Sequence, residues 1–321
     1  MIASALSLLL MGGAVGIFIG SKQAYRTEDA MSRNQEAGRF ALTTLAMQIR
    51  EAGYSGCAIL EDITPNIIAE PAPTEGFASA SSILGYDGNN GAASNSGDTW
   101  ATPANWLPNT DVLIISNGGE CGADLIGNMG TVSANIQLSS ANGCGFQAGD
   151  ALLITDCQTA DLFRATSVSD SGSNTTITHA NSTNSTDSLS RAYQENATVL
   201  KFVQNTYFIG TSPNGNPALY RTDIDGNTEE LVDNIADMQI EYGVDDGDDG
   251  VVDAFRAASN ISDWSSVLSV QLSLLIRSDN NALTEAQTVT FNGTAINSGA
   301  DIDRRLRSIF NSVVSIRNRL P

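Results

Sequence analysis

The sequence contains few of the residues from which catalytic and metal sites are most often built. Its 321 residues include a single histidine, His179, and only 6% aromatic residues. A lone imidazole excludes sites that need two histidines, and the chain has no P-loop, no Gly-x-Ser-x-Gly and no His-Glu-x-x-His motif. His179 lies in a polar segment, residues 176–181, where we expect a solvent-exposed side chain. The sequence therefore predicts a protein that is not an enzyme.

Basic residues are also scarce. The chain has 16 lysine and arginine residues against 36 aspartate and glutamate residues, which gives a net charge of −20. Such an acidic chain is not expected to bind nucleic acid. Residues 51–300 hold 6 of the basic and 31 of the acidic residues, whereas residues 1–50 and 301–321 are each basic overall.

The basic residues near the C-terminal end allow two interpretations. They can be charges that protect an edge strand in solvent, or they can dock this end against the acidic body of a neighbouring subunit. The sequence does not decide between the two. The residues are Arg304, Arg305, Arg307, Arg317 and Arg319.

Charged residues are absent before Lys22. A helix of about 20 apolar residues spans roughly 30 Å, the thickness of the hydrocarbon core of a bilayer. The segment lacks the basic start and the cleavage site of a secretory signal, so residues 1–20 are predicted to be a retained transmembrane anchor. Gly12, Gly16 and Gly20 recur at every fourth position of this anchor. Such a stripe lets another helix pack closely in lipid, although each glycine also weakens the helix by about 1 kcal/mol.

The helical pattern continues beyond the anchor, because proline is absent until position 65. Leu42, Leu45 and Ile49 follow each other at helical spacing and predict one apolar face. The sequence thus predicts a single long helix. Its transmembrane half covers residues 1–20, and its amphipathic half covers residues 21–55.

Residues 56–321 are predicted to form a β-rich body. Two low-complexity stretches, residues 74–99 and 166–190, are predicted to be surface loops or mobile insertions. The last segment is ambiguous, but its β-branched residues 313–316 favour a closing strand over a helix. Alternating or β-branched apolar residues predict the other strands at residues 111–115, 151–154, 198–203, 238–242 and 267–276.

The predicted fold is of the α+β class and has a long helix packed on an antiparallel sheet. The amphipathic half of the helix covers the inner face of that sheet. Tight turns such as Asp225–Asn227 join its strands. Residues 201–321 supply the core sheet and the C-terminal segment, and residues 60–200 form a variable region with loop insertions.

All four cysteines lie in the predicted body, at Cys57, Cys121, Cys144 and Cys157. An even number of cysteines without a Cys-x-x-Cys motif predicts two structural disulfides and an oxidising compartment. Three pairings are possible. The short separation of Cys144 and Cys157 favours a bridge between those two, which leaves Cys57 for Cys121.

Two signals disagree about the side of the membrane on which the body lies. Lys22 and Arg26 follow the anchor and no basic residue precedes it, which by the positive-inside rule places the body in the cytoplasm. The cysteines favour the opposite side, and we expect the body there.

The densest group of acidic residues lies at residues 245–253. Asp245, Asp249 and Asp253 occupy positions 1, 5 and 9 of an EF-type loop, although position 12 is Arg256. Two interpretations stand, a calcium site and an acidic turn with solvated carboxylates. Because clustered carboxylates repel, an ordered loop would favour a cation. The candidate calcium ligands are Asp245, Asp248, Asp249 and Asp253.

Five short blocks carry a family resemblance. They are Ser21–Arg26, Gln35–Ala41, Ile49–Cys57, Asp237–Asp245 and Arg304–Phe310. In this order, together with the apolar start of the chain, they resemble PilW-type minor pilins of type IV pili. The resemblance covers both ends of the chain and its later core, and it is much less diagnostic over residues 60–200.

The resemblance implies a type IV pilin-like fold and a non-catalytic role in initiation, priming or tip assembly of a pilus. The implied partners are other minor and major pilins and a tip adhesin, reached through helix–helix and sheet contacts. The implied location is the inner membrane with the body in the periplasm, and later the pilus at the cell surface. Members of the family carry a basic leader, a processing site and a conserved glutamate upstream, so we expect the natural start to precede Met1.

Alternatives to this role remain open. The chain can be a type II secretion pseudopilin, or a filament-borne adhesin or ligand-binding module that uses residues 60–200. A membrane-tethered hydrolase ranks below both.

Overall fold

The computed structural model describes one long helix and a body built mainly of strands. Helix α1 is Ile2–Glu51. Short 3-10 helices cover Ser140–Asn142, Ala258–Asn260, Trp264–Ser266 and Arg317–Arg319. The described residues are 2–56, 63, 65–72, 82–89, 92–96, 98–298 and 302–319, except for the side chains of residues 2–6, 8, 9 and 120.

Within these residues most of the body consists of strands, whose bounds are as follows. They are β1 (Asn66–Ile67), β2 (Ile83–Asn89), β3 (Ala92–Ser94), β4 (Thr99–Trp100), β5 (Val112–Asp124), β6 (Ile136–Ser139), β7 (Ala151–Thr155), β8 (Ala160–Arg164), β9 (Ser167–Ser171), β10 (Asn174–Thr178), β11 (Thr198–Thr211), β12 (Pro217–Asp223), β13 (Thr228–Asp233), β14 (Ile235–Val244), β15 (Ala254–Arg256), β16 (Val267–Asn281), β17 (Val289–Phe291), β18 (Thr294–Ile296) and β19 (Arg305–Ser315).

The strands form several sheets. The largest has the order β1-β8-β7-β11-β5-β2-β3-β4, and β12 joins it by pairing with β11 and with β13. A second sheet has the order β15-β14-β16-β19, a third has the order β6-β10-β9, and β17 and β18 form a hairpin. Strand β11 is central to the arrangement because it pairs with β5, β7 and β12.

The predicted α+β class is wrong. The chain is mainly β, with 44% of its residues in strands and 19% in helices, and its strands form a curled, multi-strand arrangement in place of one sheet under a helix. The physical reason lies in residues 60–200, which were expected to be a variable region with loop insertions and two strands, at residues 111–115 and 151–154. Seven of the ten strands of the largest sheet come from this region, namely β1, β2, β3, β4, β5, β7 and β8.

The two low-complexity stretches also differ from the prediction of loops. Strands β9 and β10 lie within residues 166–190 and pair with each other in register. Thr175 and Ile177 alternate with more exposed neighbours in β10, and both are buried. Such alternation suits a strand even in a polar segment, because threonine and isoleucine are both β-branched.

Other sequence-based predictions are confirmed. The closing segment is strand β19, and the turn at Asp225–Asn227 joins β12 to β13 with Gly226 at φ 83°. Helix α1 ends at Glu51, and Gly53 follows with φ 77°. A positive φ at this point is typical of a glycine that ends a helix.

The C-terminal half of α1 is packed against the body. Ala41, Leu45 and Ile49 are completely buried and share a hydrophobic core with residues of β16 such as Leu272. The same core contains Leu113 of β5. The helix is therefore held by strands from both large sheets.

Helix α1 runs in the same direction as β19. Asn34 donates a hydrogen bond to the carbonyl oxygen of Leu306 at 3.2 Å. Just beyond the C-terminal ends of both elements, the side chain of Asn318 donates to the carbonyl oxygen of Ala52 at 2.9 Å. Both contacts join distant parts of the sequence and fix the helix along the strand.

No helix is long and apolar enough to cross a membrane within the part of the chain that the structure describes. The predicted anchor over residues 1–20 includes residues 1–6, 8 and 9, whose side chains lie outside that part.

Candidate functional site

The N-terminal half of α1 is the largest open surface of the helix. Leu10, Ile17 and Phe18 are 75%, 74% and 69% exposed. A Cβ atom added at Gly12, Gly16 or Gly20 would meet nothing within 4 Å. The glycine stripe predicted from the sequence is therefore fully accessible to another helix, and packing across it stays a prediction.

A second open surface lies on the C-terminal half of α1. Phe40 and Met47 are 54% and 51% exposed, and their spacing of seven places them on one side of the helix. This side faces away from the buried Leu45 and Ile49. The helix thus packs one apolar side against its own body and leaves two large apolar side chains exposed to solvent on the other side.

Beside this surface, α1 and the sheets border an open groove of about 1130 Å³. Tyr25, Arg33 and Phe40 line it from the helix, and residues 231–234 and 278–282 line it from the body. Charged and apolar side chains are mixed here, which suits contact with a protein better than burial of a small apolar ligand.

Polar contacts fix the helix at the edge of this groove. Gln23 and Thr27 both donate to the carbonyl oxygen of Ala282, at 2.6 and 2.8 Å. Sequence reasoning missed these residues. Their spacing of four, continued by Asn34 about two turns farther on, is the signal that could have placed them on one face.

The C-terminal arginines divide into two groups, so neither interpretation holds for all of them. Arg307 makes a bidentate ion pair with Asp303 at 2.7 and 2.9 Å. Arg319 donates to the carbonyl oxygens of Trp264 and Val267 at 2.7 and 2.8 Å. These two side chains stabilise the fold, whereas Arg304 and Arg317 are exposed.

The acidic loop at residues 245–253 is ordered by its own backbone. Asp245 accepts hydrogen bonds from the N–H groups of Gly247, Asp249 and Gly250, and Asp253 accepts from Asp246 at 2.8 Å. Desolvation alone would raise the pKa of Asp245, but the N–H groups, led by that of Gly250, outweigh it and hold the pKa below its usual value.

Calcium binding by this loop stays a prediction. Among the described residues, no group of three or more histidine, cysteine, aspartate or glutamate side chains is placed to hold a metal ion. Asp246 is paired with Arg256, and the backbone amides give the order of the loop a cause that requires no cation. The order of the loop is therefore no evidence for a bound calcium ion.

The disulfide pairing differs from the one that the sequence favoured. Cys121 is bonded to Cys144, with a Cα–Cα distance of 5.5 Å. The predicted bridge between Cys144 and Cys157 is wrong, because β7 lies between these residues and carries Cys157 into the turn before β8. Cys157 is also disulfide-bonded, and Cys57 lies outside the described residues.

His179 is buried, in contrast to the expected exposure. Its Nε2 lies 3.0 Å from the carbonyl oxygen of Ala134, and its ring meets the ring of Phe163 edge-on. Only 3% of its surface is exposed. His179 therefore fills a core position. Its burial could not be predicted from the local sequence, because the residues that cover it, such as Ala134, are distant in the chain.

The exposed surfaces of α1 define a class of protein. A long helix that buries one face in a β-rich body and leaves apolar surface on the rest of its length is suited to assembly with other chains.

The family model described as type IV pilus-assembly protein W matches residues 206–318. This match confirms the resemblance and supports a PilW-type assignment. The matched residues run from within β11 to the 3-10 helix that follows β19. None of the curated proteins matches the chain significantly. The assignment connects the chain with type IV pilus assembly, with the cell envelope and with other pilus components.

Proposed function

We propose that this protein is a non-catalytic minor pilin that initiates or caps a type IV pilus. The observation that carries the proposal is the accessible surface of α1. Residues 10–20 of the helix are apolar and exposed, and its second half keeps Phe40 and Met47 exposed while Leu45 and Ile49 pack against the body.

The proposed mechanism is nucleation by helix packing. Before assembly, the apolar first half of α1 lies in the inner membrane and the body lies in the periplasm. The glycine positions 12, 16 and 20 let helices of other pilins approach. The exposed side of the second half then extends the same contact outside the membrane, and the body fixes the stagger of the neighbours.

The partners in this proposal are other minor and major pilins and a tip adhesin. The PilW match supports partners of this kind because the family takes part in pilus assembly. The helix has buried apolar residues on one side and exposed apolar residues on another, which supports contact with these partners through the helix.

Deletion of the gene and complementation with variants test the proposal. We expect deletion to remove surface pili and the wild-type chain to restore them. The double variant Phe40→Glu, Met47→Glu should fold but not restore piliation, since charges on an apolar contact are poorly tolerated. Val251→Glu is the matched control, because Val251 is 60% exposed and lies in the acidic loop, away from the helix.

Different outcomes assign the chain to the alternatives. Normal piliation after deletion would contradict the proposal. Normal piliation with lost protein secretion would identify a pseudopilin, and normal piliation with lost surface adhesion would identify an adhesin.

A further inference from the structure

Within the part of the chain that the structure describes, β19 pairs with another strand on one side only, because it ends the sheet order β15-β14-β16-β19. The N–H group of Ile316 donates to Leu268 on the β16 side at 2.9 Å. Since N–H groups alternate between the two sides of a strand, those of Ile309, Asn311 and Val313 point to the open side. No hydrogen bond from these three groups is formed within the described residues.

The open edge carries none of the usual protection against strand addition. Proteins protect edge strands with lysine, proline, inward-pointing charges or bulges. Residues 308–316 contain no charged residue and no proline. The pairing of β19 with β16 is regular from Arg307 to Ser315. Ile309 and Val313 are 39% and 57% exposed on the outer face beside this edge.

The ends of the edge are basic, although the chain as a whole is acidic. Exposed Arg304 lies just before β19, and exposed Arg317 lies just beyond its end. A second copy that paired antiparallel about Asn311 would bring the exposed Arg304 of each chain close to the exposed Arg317 of the other. Like charges in opposite positions destabilise a pair of strands, so a copy of this chain is a poor occupant.

We propose that the open edge of β19 binds an extended strand of another protein, with an uncharged β-branched centre and acidic residues at both ends. The outward N–H groups of β19 donate main-chain hydrogen bonds to the incoming strand. The arginines at the two ends of β19 favour acidic residues at the ends of that strand. Ile309 and Val313 contact alternate side chains of the incoming strand. The proposal rests on the proposed function only in taking the partner to be another pilus component.

Peptide binding to the full chain tests this edge. The probe is a fluorescent peptide of sequence Asp-Glu-Thr-Val-Thr-Ile-Thr-Val-Asp-Glu, compared with the same peptide flanked by lysines. We expect the acidic peptide to bind and the lysine peptide to bind at least about tenfold more weakly, because like charges repel at both ends.

Val313→Pro removes one outward N–H group and leaves the hydrogen bonds to β16 intact. It should weaken binding of the acidic peptide by about fivefold to tenfold, whereas the control Val313→Thr keeps the N–H group and should stay within about twofold of the wild type. If Val313→Pro unfolds, Asn311→Pro removes a second outward N–H group in the same way. Thermal unfolding of each variant shows whether the fold is kept.

Three results would overturn the proposal. They are no binding of the acidic peptide, equal binding of both peptides, and self-association of the wild type that Val313→Pro abolishes, which would place a second copy on the edge. The proposed function fails separately, because normal piliation after gene deletion would refute it while peptide binding to β19 persisted.

Discussion

Gly38 shows how closely the helix approaches the sheet at the scale of one residue. It lies on the buried side of α1, over the ring of Phe310 in β19. A Cβ atom at this position would lie 2.5 Å from Cε2 of Phe310. Glycine lowers the intrinsic stability of the helix at this position, but it allows the helix backbone to pack closely against Phe310.

Gly38→Ala should destabilise the protein although alanine favours helices. We expect overpacking to cost about 1–3 kcal/mol, against a gain in helix propensity of about 1 kcal/mol. Denaturant unfolding followed by circular dichroism measures the difference. In a Phe310→Leu background the same change should be neutral or stabilising, and an equal loss in both backgrounds would contradict the contact.

Asp111 is a second residue whose role depends on its surroundings. Burial raises its pKa from 3.8 to about 7, although the N–H groups of Gly88 and Ile240 donate to it at 2.9 and 2.8 Å and lower the value in part. Asp87 and Asp237 lie near it and raise the pKa further. The residue connects β2 and β14 through these two hydrogen bonds.

The pKa of Asp111 predicts a decrease in stability towards alkaline pH. The folded chain binds the proton more tightly than the unfolded chain, so this contribution is present at acid pH and is lost as the pH rises through about 7. Between pH 5 and 8 we expect the free energy of unfolding of the wild type to fall by about 2 kcal/mol relative to Asp111→Asn. Chemical unfolding over this range measures both slopes, and parallel slopes would refute the assignment.

At the scale of elements, strong periodicity made strands predictable. Strand β16 alternates buried Val270, Leu272 and Leu274 with more polar residues, and it was expected from that pattern. Strand β10 was missed because its alternation is carried by threonines inside a polar segment. A local sequence pattern also does not show which strands pair or which elements pack against each other.

The same limit applies to the candidate site. The exposed glycine stripe and the buried face of Leu45 and Ile49 follow from helical spacing and could be predicted. The hydrogen bond between Asn34 and Leu306 could not, because 272 residues separate the partners and the contact leaves no local trace in the sequence. The disulfide partner of Cys121 was missed for a related reason, since strand order decides it.

The bridge between Cys121 and Cys144 links the end of β5 to the segment that follows β6. It closes a loop with a sequence separation of 23. Replacing both cysteines by serine should lower the free energy of unfolding by about 3 kcal/mol, chiefly by freeing the unfolded chain. Urea unfolding measures the loss. Unchanged stability in the double variant, or a mass-mapped bridge between Cys144 and Cys157, would contradict the observed pairing.

At the scale of the whole molecule, residues 60–200 are part of the main core. Ile83 of β2 and Leu113 of β5 share a hydrophobic cluster with Leu45 of the helix and Leu272 of β16. Strand β11 pairs with β5 over much of its length. The region that was expected to vary as an insertion is therefore needed to cover the helix and the second sheet.

Deletion of residues 65–200 should prevent folding of the remaining chain. Removing β5 leaves an edge of β11 unpaired and exposes the apolar side of the core, whose burial contributes about 25 cal/mol per Å². Amide hydrogen exchange tests this, and we expect the truncated chain to exchange within the dead time while the full chain protects β11 and β16. Protected amides in β16 of the truncated chain would show that the core is independent of this region.

The shared direction of α1 and β19 has a mechanical consequence. The attachments at Ala282, Leu306 and Phe310 are spread along the helix and not gathered at one end. A pull along the helix axis loads them together, in shear, so that no single attachment can peel away ahead of the rest. A sideways pull would unzip them one after another, and the body would resist tension far better than bending.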